Sequence, residues 1–148
     1  MDCNTNDYMF PMSAEIYYPI TDVNPYGTVT RQWVFDQTVP CQFVAAGSDS
    51  KEELKPEILI TQDTLLVGRI KKDIRISQRG QPHPLTNIII TNIRDGACNE
   101  LYTETAGPRA GKSTIFEVAT QQPYVGPFGG VDFYKLVIRK SENQATDV

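Results

Sequence analysis

Apolar and polar positions alternate with a period of two through much of the chain, the signature of strands buried on one face. Thr28–Phe35 carries Val29, Trp33 and Phe35 on alternate positions. In Ser113–Thr120, Ile115, Glu117 and Ala119 alternate with Phe116 and Val118. Ala14–Ile20, Val39–Ala45 and Val131–Arg139 read as further strands, and the apolar run in Thr86–Ile93 as a buried one. Asn24-Pro25-Tyr26-Gly27 has Asn at i, Pro at i+1 and Gly at i+3 of a type I turn, so it predicts a hairpin between the first two strands. Asp95-Gly96 predicts a turn into a partner strand, Leu101–Thr105. Asp73–Ser77 alternates, which predicts Ile74 and Ile76 inward and Arg75 outward.

Other stretches carry weaker patterns. Thr64–Ile70 fits a strand or a short helix, and Ile58–Thr61 a strand or a loop. Gly47–Glu57 is polar and charged, and its Ser50-Lys51-Glu52-Glu53 matches a capping box that would support one helical turn. Arg79–Pro84 and Gln121–Gly130 are rich in Gly and Pro and read as loops. Ile and Val together number 24 against 7 Leu, and β-branched side chains favour the pleated sheet. The expected fold is all-β: one antiparallel barrel or sandwich of about eight strands over residues 1–148, with long loops and extended termini. Residues 1–13 form an N-terminal arm in this reading, 46–57 a charged loop and 141–148 a polar tail.

Composition narrows the chemistry. The 148 residues suit one domain, and a net charge of −4 argues against a protein whose main work is coating nucleic acid. No stretch approaches the roughly 20 apolar residues of a membrane helix, and Met1–Met12 lacks the pattern of a secretory signal. Cys3, Cys41 and Cys98 are odd in number and widely spaced, so they predict incidental thiols in a reducing compartment, with Cys41 in the core and Cys98 in a turn. His83 is the one histidine and sits between two prolines, which leaves a nucleophile–histidine site without support. No catalytic constellation, metal set or cofactor site can be assembled.

One motif invites a nucleotide reading. Ala106–Ser113 (AGPRAGKS) fits a relaxed phosphate loop with Ala in place of the first Gly. That chemistry needs a helix after the loop, and Thr114-Ile115-Phe116-Glu117-Val118 alternates as a strand. Only 37 residues follow Gly111, too few for the remaining strands and helices of a nucleotide-binding domain. The better reading is a Gly/Pro loop with Arg109 and Lys112 exposed.

Charge is unevenly placed. Arg69, Lys71, Lys72, Arg75 and Arg79 fall within residues 69–79, opposed only by Asp73. They are candidates for charged contacts or the lining of a DNA channel. Aromatic residues are not interleaved with them in the sequence, which argues against a single-strand stacking platform. Tyr8 and Phe10 in the N-terminal arm, and Tyr124 and Phe128 in the Pro/Gly loop, are candidate protein contacts, since interface cores favour such side chains.

The order of these segments is similar to the head–tail connector proteins of tailed phages, especially the head-closure or stopper type. The resemblance rests on a first hairpin with Gly27 and Trp33, a strand Val39–Ala45 with a small apolar centre, a charged excursion, and barrel-closing strands at Thr86–Ile93, Ser113–Thr120 and Val131–Arg139. The last third, YTETAGPRAGKSTIFEVATQQPYVGPFGGVDFYKLVIRKSENQ, resembles small virion structural proteins of contractile-tailed phages. The resemblance implies a non-enzymatic barrel in the virion, assembled in the host cytoplasm. It implies a homo-oligomeric ring, commonly a hexamer, below the portal, with portal or adaptor and tail proteins as partners and contact with packaged double-stranded DNA. It implies no membrane partner and no cofactor. A tail terminator, tail-tube, baseplate or capsid-decoration protein is the alternative within the virion. An OB-like nucleic-acid-binding barrel is the alternative from another class.

Overall fold

A computed structural model describes residues 10–45, 65–141 and 144. The expectations for Tyr8, for Gly47–Glu57, for Ile58–Thr61 and for most of the polar tail lie outside the described residues. Among the described residues there are six strands: β1 (Met12–Val23), β2 (Val29–Ala45), β3 (Leu65–Ile70), β4 (Ile89–Arg94), β5 (Phe116–Val125) and β6 (Val131–Lys140). They close into a barrel in the order β1-β2-β3-β6-β5-β4, every neighbour antiparallel. The all-β expectation of one antiparallel barrel or sandwich holds, as a closed barrel, with six strands among the described residues in place of about eight.

The difference in count has local causes. The predicted Thr28–Phe35 and Val39–Ala45 are one continuous strand, because the polar residues between them are absorbed by a bulge at Asp36. Ile16 pairs with Gln37 and Tyr17 with Phe35, which leaves Asp36 as the extra residue. Leu101–Thr105 makes one isolated bridge, Thr103 to Ser113, with a second, Arg94 to Glu100, just before it, and is not a strand. Asp73–Ser77 is a turn with one bridge, Ile76 to Pro82; Ile74 is buried, but Ile76 faces solvent. The expected loop Gln121–Gly130 is strand as far as Val125, with Gln121 to Val125 all paired to β6.

The core follows the alternation. Ala14 and Ile16 of β1, Val39, Cys41 and Phe43 of β2, Leu66 and Ile70 of β3, Ile90 and Ile93 of β4, Phe116 of β5 and Leu136 and Ile138 of β6 fill the interior. Gly68 lets β2 and β3 meet closely: a side chain there would run into the Gln42 carbonyl. Asn92 sits in the left-handed region at φ 52 and makes a bulge against β1. The bulge resets the alternation, so that Ile90 and Ile93, an odd number of residues apart, both reach the core.

Chain direction decides which connections share an end. The turns of the β1–β2 and β5–β6 hairpins lie at one end of the barrel. So does the segment from Lys71 to Ile88, because β3 and β4 are opposite each other in the ring and the chain must cross that end to join them. The link between β4 and β5 and the end of β6 lie at the other end. Ile74 and Ile88 of the crossover are buried and close the barrel like a lid.

Cys41 is free and fully buried, as expected, and burial pushes its thiol up to about 12. Cys98 does sit in a turn, at φ 68, but it is disulfide-bonded, so the expectation of incidental thiols fails there. An odd count of cysteines does not exclude one bridge.

Candidate functional site

The end that carries both hairpins is the most unusual part of the surface. β1 pairs with β4 only from Ser13 to Tyr17, and β2 pairs with β3 only from Cys41 to Ala45. Beyond that, six residue pairs, Tyr18–Val34 through Val23–Val29, belong to a two-stranded arm with no third strand among the described residues. The arm is about 20 Å long at the rise of an antiparallel strand. Its tip is built by Asn24, whose Oδ1 accepts hydrogen bonds from the Tyr26 and Thr28 N–H groups, and by Gly27 at φ 84. The predicted turn is therefore present.

Register puts Tyr17, Pro19, Thr21 and Val23 on the same face as Phe35, Trp33, Arg31 and Val29. Tyr17 meets Phe35 edge to face at 5.6 Å, and Arg31 lies 5.9 Å over the Trp33 ring. Outward along the arm the face becomes bare: Phe35 is 49% exposed, Val23 59% and Val29 62%, and Tyr26 at the tip reaches 91%. The residues whose alternation suggested a core strand do share a face, but among the described residues no second layer covers it.

The β5–β6 hairpin has a smaller version of this tip. Phe128 is 99% exposed in the turn. Tyr124 is in strand β5, not in a loop, and stacks flat on its register partner Phe133, with ring centres 4.6 Å apart. Phe10 departs from its expectation. It is buried, packing edge to face on Phe133 at 6.3 Å outside the barrel's core, and is not an exposed side chain.

The crossover braces both hairpins. His83 stacks on Tyr18 at 4.2 Å, and the Gln78 N–H donates to the bulged Asp36. Lys72 donates to Gln37. On the other side Gln121 of β5 accepts from the Ile74 N–H and donates to Asp73. Arg75 donates twice to the Asp73 carboxylate, and these bonds hold that carboxyl down at about 2. The basic stretch is thus divided by its tasks. Lys72 and Arg75 are spent on the lid, Arg79 is exposed in a turn, and Arg69 and Lys71 lie against aromatic rings. It does not form one continuous basic stripe.

At the far end, residues 95–115 are tied down by a polar network that sequence reasoning missed. Glu15 is buried and accepts from Tyr17 Oη and from Asn92 Nδ2. Ser113 Oγ lies 2.8 Å from both Asn92 Oδ1 and Glu100 Oε1. Burial, with the Glu15 carboxylate beside it, pushes the Tyr17 hydroxyl up to about 12. Arg109 was expected in solvent; it is buried, and its Nε donates to the Ser113 carbonyl.

The same loop answers the phosphate-loop question. Its backbone N–H groups are used internally: Ala110 to Gly107, Gly111 to Glu104 and Lys112 to Arg109. A strand follows it where a phosphate loop needs a helix N-terminus. Among the described residues no group of three His, Cys, Asp or Glu side chains is placed to hold a metal ion, and no helix is long and apolar enough to cross a membrane. No protein-family model, curated protein or solved structure matches the chain.

Proposed function

We propose that this chain is a non-enzymatic structural subunit of a tailed-phage virion that assembles into a homo-oligomeric ring, six copies in the neck, joining head to tail. The observation that carries the reading is the β1–β2 arm. A two-stranded ribbon is marginal in water on its own, and this one leaves Phe35, Val23, Val29 and Tyr26 bare. Such a face gains most by lying on another subunit, where its apolar area leaves water. A closed barrel with one projecting arm suits a ring, because a single head-to-tail interface repeated about an axis closes on itself. Phe128 at the second tip offers a contact toward the same side.

A tail terminator, tube, baseplate or decoration protein would use the same arm in a different place. Sedimentation of the purified protein tests the ring: the wild type runs as a closed oligomer, and Val23→Ser with Val29→Ser runs as a folded monomer. A wild type that stays monomeric at high concentration and in virion extracts overturns the reading. Copy number by virion mass spectrometry then separates a neck ring from a capsid-wide coat.

A further inference from the structure

Along the chain the basic stretch has no aromatic neighbours; across the strands it has several. Arg69 of β3 and Lys135 of β6 are direct register partners. They alternate with the buried Ile70 and Leu136, so both point outward. Like charges placed directly opposite on neighbouring strands repel. Neither side chain makes an ion pair with a described residue. Two carboxylates on or beside these strands are engaged elsewhere, Asp73 with Arg75 and Gln121, and Glu117 with Arg139 and Ser141. The Arg69 guanidinium lies 5.7 Å over the Phe133 ring, Tyr124 stacks on Phe133, and the Lys135 ammonium lies 5.5 Å over Tyr124.

Two cations without an ion pair among the described residues, beside a stacked, half-exposed aromatic ring, match one ligand chemistry: alternating phosphates and flat bases. We infer that the outer face of β3, β6 and β5 binds single-stranded nucleic acid, with Arg69 and Lys135 holding phosphate and Tyr124 stacking a base. Lys135 is exposed and its ammonium ends a long rotatable stem, which lets it swing off the Tyr124 ring to admit the base. Phe133 is buried and backs Tyr124 from below. A duplex hides its base faces and gains only the phosphate contacts. This inference does not depend on the ring: it uses none of the arm residues.

Fluorescence anisotropy with a labelled single strand of about 15 nucleotides tests it. The full-length protein binds the strand at low salt with Kd on the order of micromolar, loses it steeply at higher salt, and binds a duplex of the same length about tenfold more weakly. Lys135→Glu is the decisive variant. It converts a repulsive pair into an attractive one, so the melting temperature rises by about 2 °C while affinity falls at least about tenfold. Tyr124→Ala lowers affinity about tenfold and leaves the salt slope unchanged. Lys112→Gln, at the other end of the barrel, changes neither. No binding by the wild type at low salt, or equal binding by Lys135→Glu, overturns the inference. A duplex bound as tightly as the strand overturns it too. A protein that binds the strand but sediments as a monomer keeps this inference and loses the ring.

Discussion

The β1–β2 arm and the barrel wall are made of the same two strands, yet they treat apolar side chains in opposite ways. Ala14 and Ile16 at the start of β1 are at most 1% exposed, while Ile20 and Val23 at its end are 49% and 59% exposed. The residue types are alike. The difference is the number of strands alongside: β4 and β3 flank the hairpin at its base and are absent beyond Tyr17 and Cys41. Burial here is a property of neighbours, and an apolar stripe becomes core or contact face according to what lies across it.

The largest effect that separates the two regions is truncation in the wall. Leu136→Ala or Ile90→Ala, both fully buried, should cost about 2–5 kcal/mol in chemical denaturation. Val23→Ser and Val29→Ser should change the stability of the monomer by no more than about 0.5 kcal/mol and remove self-association. An arm substitution that unfolds the monomer would erase the distinction. Next comes the β2–β3 contact at the base: Gly68→Ala puts a methyl group into the Gln42 carbonyl and should cost about 1–3 kcal/mol, read by the denaturation midpoint. At the tip, Asn24→Ala loses two hydrogen bonds in an exposed turn. It should cost about 1 kcal/mol or less of global stability, while hydrogen exchange in the arm accelerates.

The smallest effect concerns the lid that braces the arm. Arg75 and Gln121 hold the Asp73 carboxyl below its ordinary value of 3.8, at about 2. A carboxylate depressed in the folded state contributes stability that is present above pH 3.8 and is lost as pH falls through about 2. Solvent screening limits that contribution to about 1 kcal/mol or less. Asp73→Asn should therefore flatten the stability profile between pH 5 and 2 and leave the arm's assembly at neutral pH intact. Denaturation series at stepped pH read this directly.

Much of the wall was legible in the sequence. The Asn24–Gly27 turn, the inward Val39 and Cys41 and the strand at Val131–Arg139 all follow from local rules, because turn chemistry and a period of two act over a few residues. The errors came where a longer-range partner intervened. The polar Asp36-Gln37-Thr38 looked like a break, but a bulge and the bond from Gln78 keep β2 continuous. Phe10 looked like a free contact, but Phe133 buries it. Of the candidate site, Phe128 is exposed and Tyr124 half-exposed, whereas Lys72 and Arg75 are spent on bracing the lid.

Composition and alternation determined that this chain is all-β, where its first hairpin turns, and which residues share a face along each strand. Only the tertiary structure decided which of those faces are covered. It closed six strands into a ring, left the far half of β1 and β2 outside it, and set Arg69, Lys135 and Tyr124 side by side on three strands. The physical reason is range. A two-residue period is local and fixes the side a side chain takes, but burial, charge pairing and ring stacking depend on register between strands far apart in sequence.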